Sequence, residues 1–314
     1  ASTTDDDVAG FTVTETEGST SVTEAGGTDT FTVVLNAKPS SNVVLSISSS
    51  DTGEATVTSL ITFSSSNWDT AQTVTVTGAD DDIIDGTQNS TLTLSIVSAI
   101  TDDDFDAVAD QTVSVSTTDD DVAGFTIVEL EGSTTVDESG TTDTFTVVLD
   151  AQPDSDVVLS IVTSDAGEAT VTGTITFTSA NWDTSQTVTV TGVDDAIIDG
   201  TINSTITVTI VDAISDDDFD NVADQTVTTS TTDDDVAGFT ITETDSGTEV
   251  NESSTTDTFR VVLDAQPTSD VQISVTSADT GEVTVSPATL TFTAANWNTP
   301  QTVTATGIND SVDD

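Results

Sequence analysis

Most of the chain alternates apolar residues with threonine or serine, with a period of two residues. Segments such as FTVVL, VVLSIS and QTVTVTG show this alternation clearly. A period of two indicates strands with one buried face, and Val, Ile, Phe and Thr favour such strands. Gly, Asp, Asn, Ser and Pro fill the intervals between the alternating runs, where turns are expected. No helical period of useful length is present, so the pattern predicts an all-β protein.

The alternation predicts seven strands, A to G, in the first part of the chain. Strand A covers residues 11–16 and continues after Gly18 through residue 22. The other strands are B (30–35), C (43–48), D (55–63), E (73–77), F (91–97) and G (111–116). Seven short alternating strands in about 110 residues are typical of an immunoglobulin-like β-sandwich.

The chain repeats itself. The segment TDDDVAGFT begins at Thr4 and recurs unchanged at Thr118 and Thr232, so the copies lie 114 positions apart. A repeat of this length is too long for a solenoid or propeller unit of about 20–50 residues, and it fits one small domain per copy. We therefore expect tandem seven-stranded sandwiches arranged head to tail as a rod.

The repeat also predicts the domain boundaries. Residues 1–7 match the end of a preceding repeat, 8–121 and 122–235 form repeats one and two, and 236–314 form a truncated repeat three. Repeat three is expected to lack its last strands, so the chain is interpreted as a window from a longer array. An incomplete domain would expose strand edges or borrow strands from another chain.

The chain is strongly acidic and contains very few basic residues. The 314 residues include 57 acids and 2 bases, for a formal net charge of −55. Nucleic acid and anionic membranes are disfavoured partners because both require Lys or Arg. No run approaches the roughly 18 apolar residues of a membrane span. Strong acidity with few aromatic residues can also indicate disorder, but the regular alternation argues against it, provided that cations neutralise the self-repulsion.

The acids concentrate in loops that the topology brings to one pole. Successive strands reverse direction, so the A–B, C–D and E–F loops and the end of G share that pole, and all four segments carry carboxylates. Mutual repulsion would raise their pKa values unless a cation lies between them. Ca²⁺ accepts 6–8 oxygen ligands in flexible geometry, whereas Mg²⁺ prefers to keep its waters. With no His or Cys for zinc or copper, several Ca²⁺ ions per full repeat are expected. The alternative is solvated linkers, because no EF-hand spacing is present.

These acidic segments resemble the Calx-β family, known from the regulatory domains of sodium–calcium exchangers and from repeats in large bacterial surface proteins. The resemblance is carried by DDDVAGF after strand G, TEAGG, DTGEA and GADDDIID. It implies calcium ligands at the acidic pole. In repeat one these are Glu24, Asp51, Asp80, Asp81, Asp85, Asp119, Asp120 and Asp121. In repeat two they are Glu138, Asp165, Asp194, Asp195, Asp199, Asp233, Asp234 and Asp235.

Repeat three departs from the family pattern. Its matching positions are Glu252, Asp279, Asp310 and Asp314, but Asn309 stands where Asp80 and Asp194 stand in the other copies. The terminal DDD is missing as well. The site of repeat three is therefore expected to be weak or incomplete.

A second acidic run lies in the F–G loop, at the opposite pole. It reads TDDDFDAVAD at residues 101–110 and SDDDFDNVAD at 215–224. Because the linker between repeats one and two is only residues 122–124, this loop of repeat two is expected to face the calcium pole of repeat one. Asp216 and Asp218 are then candidate ligands across the joint. The alternative is a solvated loop with Phe105 and Phe219 tucked beneath the sheet.

The leading functional prediction is structural. We expect an extracellular, secreted segment of a large bacterial adhesin, surface fibre or matrix filament, stiffened by Ca²⁺ in its acidic loops and joints. Its partners would be neighbouring repeats, with self-association into fibres as a further option. The alternative is a calcium-dependent module that binds a glycan or protein through its loops. Catalysis is not expected: no Ser triad exists without a His or a plausible Lys base, and the paired carboxylates lack an aromatic-lined cleft for glycoside hydrolysis.

Overall fold

The computed structural model describes residues 6–309 and consists of β-sandwiches joined by short linkers. Among these residues each helix is a single 3₁₀ turn of three residues. None of the described helices has the length and apolar character needed to cross a membrane. The all-β class expected from the alternation is confirmed.

Repeat one is a two-sheet sandwich around one apolar core. Its strands are β1 (Phe11–Glu15), β2 (Thr20–Thr23), β3 (Thr28–Leu35), β4 (Val43–Ser49), β5 (Ala55–Val57), β6 (Leu60–Phe63), β7 (Gln72–Gly78), β8 (Gln88–Ile96) and β9 (Gln111–Thr118). The sheets have the orders β1-β3-β7-β5 and β2-β9-β8-β4-β6. Three 3₁₀ turns are at Thr16–Gly18, Ser98–Ile100 and Asp103–Phe105. This arrangement confirms an immunoglobulin-like sandwich.

Two of the predicted strands divide between the sheets. Predicted strand A becomes β1, which pairs with β3, and β2, which pairs in parallel with β9. The turn between them places Glu17 and Gly18 at φ values of 59° and 84°, a left-handed conformation that glycine adopts at low cost. Predicted strand D becomes β5, paired with β7, and β6, paired with β4. Alternation keeps its phase across residues 58–59, so the pattern alone reads as one strand.

Repeat two has the same architecture. Its strands are β10 (Phe125–Glu129), β11 (Thr134–Asp137), β12 (Thr142–Leu149), β13 (Val157–Thr163), β14 (Ala169–Val171), β15 (Thr174–Phe177), β16 (Gln186–Gly192), β17 (Ile202–Ile210) and β18 (Gln225–Thr232). The sheets have the orders β10-β12-β16-β14 and β11-β18-β17-β13-β15. Its 3₁₀ turns are Leu130–Gly132, Asp212–Ile214 and Asp217–Phe219.

The described part of repeat three has one complete sheet and part of another. Its strands are β19 (Phe239–Glu243), β20 (Thr256–Leu263), β21 (Val271–Ser274), β22 (Val283–Ser286), β23 (Thr289–Phe292) and β24 (Gln301–Gly307). The second sheet contains β21 and β23. Phe239 is consequently 52 % exposed, whereas its counterpart Phe11 is 3 % exposed. In the described part of repeat three, the segment that corresponds to β2 forms no strand. In repeats one and two this strand pairs in parallel with the last strand of the repeat, and the described part of repeat three contains no counterpart of that last strand.

Aromatic side chains from the D–E and F–G loops pack against the cores of the repeats. Trp68, Trp182 and Trp297 each pack against the core of their own repeat. Phe105 and Phe219, from the acidic F–G loops, are buried beneath the sheets. These loops are therefore anchored by an apolar side chain although most of their neighbouring residues are carboxylates.

Replacing Phe105 by alanine tests this anchor. Loss of a fully buried phenylalanine is expected to lower the unfolding free energy of repeat one by about 3–5 kcal/mol. Denaturant unfolding would be followed by Trp68 fluorescence in a background where Trp182 and Trp297 are phenylalanine. Ile100→Ala, at an exposed position of the same loop, is the control and should change stability by about 0.5 kcal/mol or less. Equal effects of the two substitutions would contradict the burial argument.

Candidate metal centre

Carboxylates from four chain segments meet at one pole of repeat one. Oxygen atoms of Glu24, Asp81 and Asp121 lie within 4.8 Å of one another, and so do those of Glu24, Glu54 and Asp85. These residues follow β2, precede β5, lie between β7 and β8, and follow β9. In repeat two the corresponding groups are Glu138–Asp195–Asp235 and Glu168–Asp195–Asp199. The two complete repeats thus build closely similar arrangements from equivalent segments.

A buried glutamate lies at the centre of each cluster. Glu24 is 1 % exposed and Glu138 is 0 % exposed. Neither oxygen of either carboxylate has a hydrogen-bond partner, and one buried oxygen each of Glu54 and Glu168 also lacks one. A buried charge without a partner is strongly unfavourable. The arrangement therefore requires either a proton or a cation at these oxygens.

The electrostatics of the cluster agree with this requirement. Burial, followed by the charges of Glu54 and Asp81, raises the pKa of Glu24 from 4.5 to about 7. Burial, followed by the charge of Asp195, raises the pKa of Glu138 to about 7 as well. The pKa values of Asp85, Asp121, Asp199 and Asp235 are also raised, in each case first by burial. Groups that repel one another in this way favour a cation placed between them.

Backbone N–H groups also link the acidic loops to one another through hydrogen bonds to aspartate. The Asp119 carboxylate accepts N–H bonds from Gly86 at 2.8 Å and Asp121 at 2.7 Å. In repeat two Asp233 accepts from Gly200 at 2.8 Å and Asp235 at 2.8 Å. The predicted ligands Asp119 and Asp233 therefore tie the E–F loop to the segment after the last strand.

A glycine at the end of β7 allows the E–F loop to lie close to the A–B loop, which carries the buried glutamate. A Cβ atom added to Gly78 would overlap the carbonyl oxygen of Thr23, next to Glu24. Gly192 and Gly307 lie equally close to the carbonyls of Asp137 and Asn251. A side chain at this position would push the E–F loop away from the buried glutamate.

Several predicted ligands lie outside the two groups. Asp80, Asp120, Asp194 and Asp234 are exposed. Asp51 and Asp165 are also exposed, and they accept the N–H of Gly53 at 3.0 Å and Gly167 at 2.9 Å, a common role of aspartate in turns. The buried ligand candidates in these turns are Glu54 and Glu168, which the sequence reasoning missed. The signal was present in DTGEA, where the glutamate directly precedes the buried alanine of the next strand.

Asp216, predicted as a ligand across the joint, is engaged within its own repeat. Its carboxylate accepts from Ser155 N at 2.7 Å, Ser155 Oγ at 3.1 Å and Asp218 N at 3.1 Å. In repeat one Asp102 accepts the corresponding bonds from Ser41 and further bonds from Ser40, and these bonds, those from the Ser40 side chain first, lower its pKa to about 2. The first aspartate of the F–G triplet therefore ties the F–G loop to the B–C loop. Asp218 does face the joint, where it lines a cavity of about 330 Å³ together with Asp121.

The candidate residues of repeat three do not come together within residues 236–309. Glu252 is exposed, and Asp279 accepts the N–H of Gly281 at 2.9 Å. Asp310 and Asp314 lie outside the described residues. The metal groups of the described chain belong to repeats one and two.

No family model matches the chain, and no curated protein matches it. Among solved structures, the calcium binding domain CBD12 of CALX1.1 is 14 % identical with a TM-score of 0.30, covering 63 % of this chain and 80 % of that one. Domains 4–9 of the surface layer protein SbsC are 14 % identical with a TM-score of 0.31, covering 98 % of this chain and 44 % of that one. Titin I-band fragment I67–I69 is 10 % identical with a TM-score of 0.25, covering 98 % and 88 %.

These three similarities are too low to assign a function. The class of the protein therefore follows from its own sheets and carboxylates. It is a tandem array of immunoglobulin-like β-sandwiches with clustered acidic loops at one pole of each complete repeat.

The raised pKa values predict an inverted pH dependence for the metal-free protein. Folded Glu24 and Glu138 titrate near 7 rather than 4.5, so the folded state binds more protons than the unfolded state between these values. Stability is therefore greatest below about pH 4.5 and falls as the pH rises through 7. Thermal melting in chelator between pH 4.5 and 8 measures this slope.

Two variants test whether Glu24 and Glu138 cause the fall in stability with rising pH. Combining Glu24→Gln with Glu138→Gln should flatten the slope, because glutamine does not ionise. Glu17→Gln, at an exposed position, should leave it unchanged. A slope that persists in the double variant would assign the effect to other carboxylates.

Proposed function

We propose that the chain is a structural, extracellular repeat segment that is stiffened by Ca²⁺ bound to the acidic pole of each complete repeat. The observation that carries this proposal is the pair of buried glutamates, Glu24 and Glu138, whose carboxylates have no hydrogen-bond partner and face other carboxylates. A cation supplies what the protein does not provide at these oxygens.

The donor set favours calcium. The grouped side chains offer carboxylate oxygens, which hard cations prefer, and Ca²⁺ tolerates their irregular arrangement better than Mg²⁺. In repeat one the two groups share Glu24, and in repeat two they share Asp195. A shared carboxylate can bridge two neighbouring ions, which supports more than one ion per repeat.

The same chemistry supports an extracellular location. Extracellular modules bind Ca²⁺ at about 10⁻⁴–10⁻³ M, concentrations found outside cells. A formal charge of −55 would also favour dissociation of the joints unless cations were abundant. Repetition of one site in successive domains suits a spacer in an adhesin, surface fibre or matrix filament of a bacterial cell, with neighbouring repeats as its first partners and fibre formation as a further one.

A calcium-dependent binding module for a glycan or protein is the second candidate. A recognition site would be expected in one divergent domain, whereas the ligand candidates of repeats one and two occupy equivalent positions. The structural role is therefore the better supported, and no catalytic role is proposed.

Thermal melting with millimolar Ca²⁺, with chelator and with Mg²⁺ tests the proposal. Binding to the folded state at a hundred times Kd adds about 2.7 kcal/mol of stability, so Ca²⁺ should raise the Tm clearly and Mg²⁺ much less. The variant that combines Glu24→Gln with Glu138→Gln should lose the shift. No change in Tm with Ca²⁺, or an equal change with Mg²⁺, would overturn the proposal.

A pair of neighbouring substitutions distinguishes the buried ligand candidate from the turn residue. Glu54→Gln removes a charged oxygen from a group and should weaken Ca²⁺ binding by about tenfold or more. Asp51→Asn keeps the turn and should have a much smaller effect. Calorimetric titration of the metal-free protein measures both, and a larger loss for Asp51→Asn would reverse the assignment.

A further inference from the structure

The E–F loop of repeat one contacts repeat two through its three central residues. The Asp82 carbonyl accepts the N–H of Gln152 at 2.7 Å, and Ile83 forms a parallel β-bridge with Gln152. The Ile84 side chain packs against the core of repeat two. We refer to residues 82–84 as the peg. The residues on either side of it, Asp81 and Asp85, belong to the carboxylate groups.

Two loops of repeat two receive the peg, and together they form what we call the socket. The B–C loop, between β12 and β13, supplies the backbone N–H of Gln152. The F–G loop, between β17 and β18, supplies Asn221 and Val222, which line the joint cavity with Ile84. The socket thus offers a main-chain donor on one side and an apolar contact on the other.

Asp216 joins the two halves of the socket. Its carboxylate belongs to the F–G loop and accepts the N–H and hydroxyl of Ser155 in the B–C loop. Phe219, buried in the core of repeat two, fixes the same loop from below. The socket is therefore built by contacts internal to repeat two, independently of the peg.

The second joint provides a natural comparison. Its backbone contacts are the same: Gln266 N donates to the Ala196 carbonyl at 2.6 Å, and Ile197 bridges Gln266. Ile198 takes the place of Ile84, but it is 43 % exposed. The described part of repeat three includes the B–C loop but no F–G loop. This joint therefore has the main-chain donor of the socket without its apolar contact.

The first joint also brings negative charges together. The carboxylate of Asp85, at one end of the peg, interacts repulsively with that of Asp154 in the socket. Asp121 and Asp218, from opposite sides of the joint, line the same cavity. Repulsion among these groups opposes seating of the peg as long as no cation compensates it.

We propose that residues 82–84 are a docking peg that couples cation loading of repeat one to the rigidity of its joint with repeat two. The inference rests on the proposed calcium function. Cations held by the two groups, one that includes Asp81 and one that includes Asp85, fix the two ends of the peg and neutralise the charges around it, so that Ile84 stays seated. Without the cation the loop ends repel one another and the peg leaves the socket.

Distance distributions between spin labels test the coupling in the full chain. The protein has no cysteine, so labels attach only where cysteines are introduced. Thr73, Thr187 and Thr302 are exposed, equivalent positions on β7, β16 and β24. The pair Thr73→Cys with Thr187→Cys reports the first joint, and Thr187→Cys with Thr302→Cys reports the second. Each is measured with Ca²⁺ and with chelator.

In the parent chain Ca²⁺ should narrow the distribution of spin-label distances across the first joint more than the distribution across the second joint. Ile84→Ser should remove the narrowing at the first joint while Ca²⁺ affinity, measured by calorimetry, is retained. Ile198→Ser, the matched control, should leave the first joint unchanged. Asp216→Asn loosens the socket without touching the peg and should also weaken the narrowing.

The outcomes separate the two proposals. If Ile84→Ser binds Ca²⁺ and its first joint narrows as in the parent chain, the coupling through the peg is wrong while the calcium function stands. If the parent chain itself neither binds Ca²⁺ nor changes its melting temperature, the calcium function fails and the coupling fails with it.

Discussion

Repulsion between buried carboxylates is the constraint on which the acidic pole depends. Glu24 and Glu138 are removed from solvent and have no hydrogen-bond partner, a state that is unfavourable for an ionised group. The surrounding chain nevertheless holds them in place through the glycines at the start of the E–F loops and the N–H bonds accepted by Asp119 and Asp233. The geometry is thus built in advance by contacts that do not themselves neutralise the charge.

The same loop serves both the pole and the joint. In the E–F loop ligand candidates flank the residues that contact the next domain, so one segment serves both roles. The three successive aspartates of the F–G loop also make different contacts. The first aspartate anchors the loop internally, and the third faces the joint. Adjacent carboxylates in one run therefore have different physical roles, which their identical chemistry does not reveal.

The strand period and the repeat were sufficient to predict the sandwich, because alternation reports directly which face of a strand is buried. They were not sufficient to locate the crossings between sheets, since Ala55 and Ile61 keep the same parity on both sides of the break. Strand direction correctly indicated which loops share a pole. Recognising Glu54 as a further candidate required the turn geometry, in which Asp51 accepts the N–H of Gly53. The role of Asp216 depends on Ser155, which is 61 residues away and has no sequence signal of its own.

The parallel pairing of β2 with β9, and of β11 with β18, has a mechanical consequence. Each pair joins an early strand of a repeat to its last strand. When the two ends of a repeat are pulled apart, parallel strands at opposite ends of the chain slide along one another, so their hydrogen bonds bear the load together instead of opening one at a time. Tension along the array would therefore meet a shear-loaded element in each complete repeat, at the same sheet edge every time.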